Sequence, residues 1–150
     1  MERERKLNTL LAQAGVKTDT TTGALTTPLH FSTTYQHPEF DQSTGYDYTR
    51  TKNPTRVSLE ETLAAIESAD YALATSSGMS AIVLAFSVFP AGSKVLAVRD
   101  LYGGSFRWFA QAEAEGRFAF TYANTEEDLL NNLTEDIDIV YIETPTNPLM

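Results

Sequence analysis

Cysteine is absent from the 150 residues. That excludes disulfides, thiolate metal sites and a cysteine nucleophile, and it suits a reducing compartment, so a cytoplasmic location is expected. Basic residues are few: 11 Lys and Arg stand against 20 Asp and Glu, for a net charge of −9 and a pI near 4.6. Nucleic-acid binding needs clustered Lys and Arg, so that partner class is not expected. No apolar run is long enough to span a bilayer, and the charged start Met1-Glu-Arg-Glu-Arg-Lys6 is not followed by an apolar signal core. No membrane partner is expected. The familiar nucleotide and hydrolase signatures are missing as well: no G-x-G-x-x-G after a strand, no G-x-x-x-x-G-K-[ST] and no G-x-S-x-G. His30 and His37 have no ligand spacing and receive no metal role.

What is present is an ordinary globular composition, 42% hydrophobic and 21% charged. Residues 3–14 read as a short amphipathic helix, with Leu7, Leu10, Leu11 and Ala14 on one face and Gly15 as its stop. Residues 17–27 are Thr-rich and read as extended. Residues 28–55 have no periodicity but carry Phe31, Tyr35, Phe40, Tyr46 and Tyr48. So many aromatics argue against disorder, so this stretch reads as an arm that packs on something, another subunit included. Asn53-Pro54 is a helix start, with Asn as N-cap and Pro at the first helical position.

From Tyr71 the chain alternates. Strands are expected at 71–75, 94–98, 118–122 and 137–143, and helices at 78–89, 104–115 and after the capping box Thr125-Glu-Glu-Asp128. This is the pattern of an α/β fold, with a mostly parallel sheet and flanking helices joined by right-handed crossovers. Ligands of such sheets bind beyond the carboxyl ends of the strands. Three polar or glycine-rich loops leave those ends: Thr75-Ser-Ser-Gly-Met79, Arg99-Asp-Leu-Tyr-Gly-Gly-Ser105 and Glu143-Thr-Pro-Thr-Asn-Pro148. The first places the N–H groups of Gly78 and Met79 at a new helix N-terminus, which favours an anion, phosphate above all. Alone, each loop also reads as ordinary capping, a turn or a strand stop. Together they suit a flat, phosphorylated, heteroaromatic ligand.

Tyr48-Thr-Arg-Thr-Lys-Asn-Pro-Thr-Arg56, Ser76-Ser-Gly-Met-Ser-Ala-Ile82, Asp100-Leu-Tyr-Gly-Gly-Ser105 and Glu143-Thr-Pro-Thr-Asn-Pro148 occur in this order. Together they resemble the amino-terminal part of the Cys/Met-metabolism (transsulfuration) enzymes that use pyridoxal 5'-phosphate (PLP). The resemblance runs from about Gly23 onward. It implies an incomplete large domain of the aspartate-aminotransferase-like PLP-dependent transferase fold, preceded by an extended N-terminal arm. The expected division is helix and inter-subunit arm over 1–57, then the first part of the PLP-binding domain over 58–150.

The resemblance also implies site roles. Gly78 and Met79 amides hold the cofactor phosphate. Tyr48 and Arg50 reach across a subunit interface to the phosphate of a neighbouring site. Tyr102 stacks on the pyridine ring and assists proton transfer or leaving-group departure. Asn147 hydrogen-bonds the phenolic oxygen, and Glu143 is the acidic residue beside it. Gly104 stands where methionine γ-lyases usually have cysteine, which favours the cystathionine enzymes. The implied reaction is γ-replacement on an O-acylhomoserine by cysteine, giving cystathionine in methionine biosynthesis. Cystathionine β- or γ-lyase activity is the alternative. The family suggests tetramers built from dimers that share active sites. Its Schiff-base lysine lies beyond the position matching Met150, so the chain is expected to be an amino-terminal fragment without activity of its own. A non-catalytic binding fragment is the alternative of another class.

Overall fold

The computed structural model describes residues 7–16 and 19–146. It divides into two compact units, Met1–Ala74 and Thr75–Met150.

The first unit holds helix α1 (Leu7–Ala12), the aromatic arm and helix α2 (Pro54–Glu67). The expected helix over 3–14 is seen as α1; residues 3–6 lie outside the described residues. Gly15 follows with φ +71°, a left-handed conformation that glycine adopts without steric cost. The arm is pinned although it has no period. It doubles back so that Thr34 bridges Tyr48 antiparallel, with Tyr35 N–H on Asp47 O at 3.1 Å and Thr49 N–H on Thr33 O at 2.9 Å. Asn53 joins this fold-back to α2. Its Oδ1 accepts from Thr55 N–H at 2.9 Å, while its Nδ2 donates to His30 O at 3.0 Å and Thr49 Oγ1 at 3.1 Å. The buried Asn53 is thus helix cap and arm clasp at once. Arg56, one turn on, donates to Thr49 O and Thr51 O at 3.3 and 2.7 Å.

The second unit is the α/β part. Helix α3 (Gly78–Phe86) leads to β1 (Ser93–Val98), α4 (Gly103–Ala114), β2 (Phe118–Ala123), α5 (Glu126–Asn132) and β3 (Ile139–Tyr141). The strands are parallel in the order β2-β1-β3, with Val95 opposite both Phe120 and Ile139. The two crossovers run in opposite directions across the sheet, so right-handed connections set α4 and α5 on opposite faces. Central β1 is apolar from Val95 to Val98, and Val95, Leu96 and Ala97 are wholly buried because both faces are covered. Val95 and Ala97 join Phe86, Phe109, Ala112 and Phe118 in one cluster, while Leu96 is equally buried on the other face. Phe109 stacks on Phe120 at 4.6 Å between ring centres and meets Tyr141 edge-on at 5.0 Å, geometries that suit the aromatic quadrupole.

Three expectations need correction. Residues 71–75 form no strand. A strand exists only when its N–H and C=O groups find a ladder, and among the described residues no strand pairs with this run. Tyr71 and Leu73 stay 78% and 64% exposed, and the Ala74 N–H is taken by Glu60 Oε1 at 3.0 Å instead. Helix α3 ends at Phe86 rather than Phe89, where the Ser87 hydroxyl donates to Leu84 O at 2.6 Å and competes with the next turn. The strand expected over 137–143 shortens to Ile139–Tyr141, the three residues that pair with Val95–Ala97 of β1. The Thr125 box forms with a shifted return: Thr125 Oγ1 accepts from Asp128 N–H at 3.0 Å, and Asp128 Oδ2 accepts from Asn124 N–H, one residue ahead of the cap, at 3.1 Å.

Candidate cofactor site

The site is built at the carboxyl edge of the sheet in the second unit. Ser77, in extended conformation, caps α3 by accepting from Ser80 N–H at 3.1 Å. That leaves the first-turn N–H groups of Gly78 and Met79 without an acceptor among the described residues. They carry the positive end of the helix dipole, a setting for an anion. Met79 is tied to α4, since the buried Ser105 hydroxyl lies 3.9 Å from its sulfur as donor.

Tyr102 occupies the N-cap position of α4 without using its side chain as a cap. Its ring is 50% exposed and lies against Gly104. Its N–H donates to Glu143 Oε1 at 2.9 Å. The other carboxylate oxygen, Oε2, accepts from the Tyr141 hydroxyl at 3.1 Å. Tyr141 is half-buried. Burial pushes its phenol above the ordinary value, the Ser105 hydroxyl opposes that, and the Glu143 carboxylate adds to the rise. The phenol therefore stays protonated and remains a donor to Glu143 at neutral pH. Thr146 Oγ1 donates to Asp100 Oδ2 at 2.7 Å, tying the loop after β3 to the loop after β1.

Gly78, Met79, Tyr102 and Glu143 thus come to one edge, joined through Ser105 and Tyr141. Asn147 lies outside the described residues. Tyr48 and Arg50 lie in the first unit, where Arg50 Nη2 donates to the Tyr48 hydroxyl at 3.2 Å and its guanidinium sits 5.4 Å from the Tyr48 ring centre. Arg50 remains exposed. Ser105 and Tyr141 escaped sequence reading. The available signals were weak: a serine in the first turn after Gly103-Gly104, and an aromatic two residues before Glu143, on the same strand face.

Lys94 sits at the opposite, amino edge of the sheet as the second residue of β1, paired with Asp136. The hydrogen bond and charge of Asp136 raise its pKa, which holds it as an ammonium. Lys52 places its Nζ 5.2 Å from the Tyr46 ring centre, in the first unit. Lys6 and Lys17 lie outside the described residues.

The edge fits a phosphorylated pyridine. Open amides at Gly78 and Met79 suit a phosphate, and the exposed Tyr102 ring suits the face of a flat heteroaromatic. No helix among the described residues is long and apolar enough to cross a membrane.

Known proteins match this chain over almost its whole length. The family profile described as "Cys/Met metabolism PLP-dependent enzyme" matches residues 8–150. A cystathionine gamma-synthase/O-acetylhomoserine (thiol)-lyase of Bacillus subtilis is 41% identical over 96% of this chain and 39% of its own length. A cystathionine gamma-synthase of Haemophilus influenzae is 42% identical over 100% of this chain and 42% of its own. A cystathionine gamma-lyase of Dictyostelium discoideum is 38% identical over 97% and 38%. Among solved structures, the cystathionine gamma synthase of Xanthomonas oryzae pv. oryzae, in complex with aminoacrylate and cysteine, superposes with a TM-score of 0.88 at 36% identity, covering 97% of this chain and 38% of that one. The chain therefore spans about two fifths of the length of these relatives. The α/β architecture is that of the PLP-dependent cystathionine synthases and lyases, and the chain belongs to the Cys/Met metabolism PLP-dependent enzyme family, whose cofactor is pyridoxal 5'-phosphate.

Proposed function

We propose that the protein to which this chain belongs is a cystathionine γ-synthase-type transferase. It joins an O-acylhomoserine to cysteine, for methionine biosynthesis in the cytoplasm. The Cγ–O bond to the acyl group breaks, the thiol sulfur bonds to Cγ, and the thiol proton leaves with the carboxylic acid. The observation that carries this reading is the 41–42% identity to γ-synthases over 96–100% of this chain.

PLP supplies the electron sink for chemistry at the amino-acid α-carbon. The chain's own residues divide the remaining work. Gly78 and Met79 donate main-chain N–H groups to the phosphate. Tyr102 lays its ring on the pyridine and offers its hydroxyl for moving a proton at the substrate. Glu143 and Asn147 flank the cofactor, Asn147 on its phenolic oxygen. Tyr48 and Arg50 serve the phosphate of a neighbouring subunit's site. Arg50 suits that role because a planar guanidinium grips phosphate at two oxygens. The assembly is a homo-oligomer of dimers, with residues 1–57 as the inter-subunit arm and 58–150 as the start of the cofactor domain.

The lyase reading has its own support. Cystathionine gamma-lyases of Dictyostelium discoideum and Bacillus subtilis are 38% and 37% identical to this chain. Incubating the full-length protein with an O-acylhomoserine and cysteine, and separately with cystathionine, decides between them. Cystathionine formation is expected. Turnover of cystathionine alone, with no condensation, overturns the synthase reading. The 150 residues by themselves are inert on this reading, because Lys94 lies at the amino edge of the sheet, away from Tyr102 and Glu143. Adding PLP and then borohydride to them should label no lysine stoichiometrically; a single labelled lysine together with turnover would contradict that.

A further inference from the structure

We propose that Tyr141 and Glu143 form a positioning relay for Tyr102, fixing the ring through its own main chain rather than through its hydroxyl. The proposal rests on the reading above that Tyr102 faces PLP. Glu143 is a site residue there by position; here it acquires a different task.

The geometry makes the relay nearly rigid. Tyr102 is the residue at which the chain leaves β1's loop and enters α4, so its N–H precedes the helical ladder and has no partner in it. Glu143 takes that N–H at 2.9 Å with Oε1. A carboxylate held by one oxygen can still swing, but Oε2 is held as well, by the Tyr141 hydroxyl at 3.1 Å. Tyr141 cannot drift, because its ring is clamped edge-on against Phe109, which is wholly buried. Core packing is thereby transmitted, through two hydrogen bonds, to the backbone that carries the Tyr102 ring. The ring's own contacts are slight: it is 50% exposed and rests on Gly104. An aromatic that must meet a cofactor face-on and is so little packed depends on its main-chain anchor for orientation. Ser105, buried between Met79 and Tyr141, ties the same anchor to the first turn of α3, where the phosphate is placed. One network therefore sets the spacing between the phosphate amides and the stacking ring.

The relay predicts distinct results for three substitutions in the full chain, prepared with and without PLP. Without cofactor, amide hydrogen exchange at Tyr102 is expected to accelerate about tenfold in Glu143→Ala, by loss of one charge-assisted hydrogen bond, and by a smaller factor in Tyr141→Phe. Glu143→Gln keeps an amide oxygen for the Tyr102 N–H and should recover most of the protection. Exchange at Phe109 and Ala112 should not change, which separates a local anchor from general loosening of α4. With PLP, the circular dichroism of the bound chromophore should fall in Glu143→Ala and Tyr141→Phe and return in Glu143→Gln. Unchanged Tyr102 exchange in Glu143→Ala overturns the relay. Accelerated exchange with an unaltered chromophore signal overturns the claim that the relay orients a cofactor-facing ring. Failure of the unsubstituted protein to take up PLP defeats the functional reading instead, and leaves the exchange result standing by itself.

Discussion

The ring of Tyr102 lies where the side chain of any other residue at 104 would be: a Cβ built on Gly104 overlaps Cε1 of the ring and stands 2.9 Å from Cδ1. Gly104 therefore permits the observed ring pose. The atoms in conflict belong to the free end of an exposed side chain, so a larger residue displaces the ring rather than the helix.

Gly104→Ala should accordingly move Tyr102 while hardly affecting stability. Alanine in the first turn of α4 gains up to about 1 kcal/mol of helix propensity, which offsets the lost ring contact. The Gly104 α-protons, beside the ring in the native protein, should be displaced by its ring current relative to Tyr102→Ala. In Gly104→Ala the remaining α-proton should lose that displacement, with an unfolding midpoint close to the native one. A fall of several kcal/mol would mean that the ring cannot leave its place and that the tyrosine is a structural element of α4.

Asn53 carries the first unit in a similar way. Asn53→Ala removes the α2 cap and leaves the His30 carbonyl and Thr49 hydroxyl short of a donor. A cap is worth about 1 kcal/mol and each abandoned, only partly buried partner less than that, so a loss of about 1–2 kcal/mol is expected. Asn53→Asp keeps the cap and loses the donors, and should fall between. Limited proteolysis would report the loss as cleavage within 28–50, the fold-back that Asn53 clasps. Equal protease resistance in all three proteins would show that the arm is held by other contacts.

The sequence made the alternation of β1, α4, β2 and α5 readable because each element carries its own period and its own stop. Val95–Val98 is a short apolar run behind Gly92. The α4 helix ends at Ala114, and Gly116, whose φ of +68° favours glycine, turns the chain away. The 71–75 stretch has the same local signal but no ladder partner among the described residues, and pairing is not encoded in a single segment. The arm is the converse case. It has no period, yet it is ordered through Asn53 and the Thr34–Tyr48 bridge, contacts that periodicity cannot reveal. At the site, the convergence of the 99–105 and 143–146 loops followed from the parallel-sheet rule. Tyr141 did not, because in sequence it is one more strand aromatic, and only the Glu143 carboxylate above it gives its hydroxyl a purpose.

Phe109 should be the most costly side chain to truncate in the second unit. It is fully buried and packs against Phe86, Phe120, Trp108 and Tyr141. Phe109→Ala leaves a cavity under both α3 and the sheet and should cost about 3–5 kcal/mol. Phe106, on the same helix but 40% exposed, is the control, and its loss should cost less than half as much. Urea midpoints measured side by side test the ranking. A result in which Phe106→Ala is the worse of the two would mean that the core lies on the other side of α4.

The amino edge of the sheet gives a pH dependence with a definite sign. The Lys94 hydrogen bond to Asp136 comes first, then the Thr134 hydroxyl, then the Lys94 charge; together they lower the Asp136 pKa from 3.8 to about 2. A carboxylate with a depressed folded pKa adds stability that is complete above its unfolded value and disappears as pH falls through its folded one. Asp136→Asn should therefore be less stable than the native protein at pH 5 and above. The gap should narrow between about pH 4 and pH 2, and close below pH 2, where both proteins carry a neutral group at 136. Because the pair is exposed, the gap should also shrink in high salt. The pair joins the second residue of β1 to the turn ahead of β3, so its effect belongs to strand pairing rather than to the cofactor edge. Melting curves of both proteins at pH 5, 3.5 and 2, each at two salt concentrations, check every part of this. A gap that widens on acidification would place the depressed pKa elsewhere and refute the assignment to Asp136.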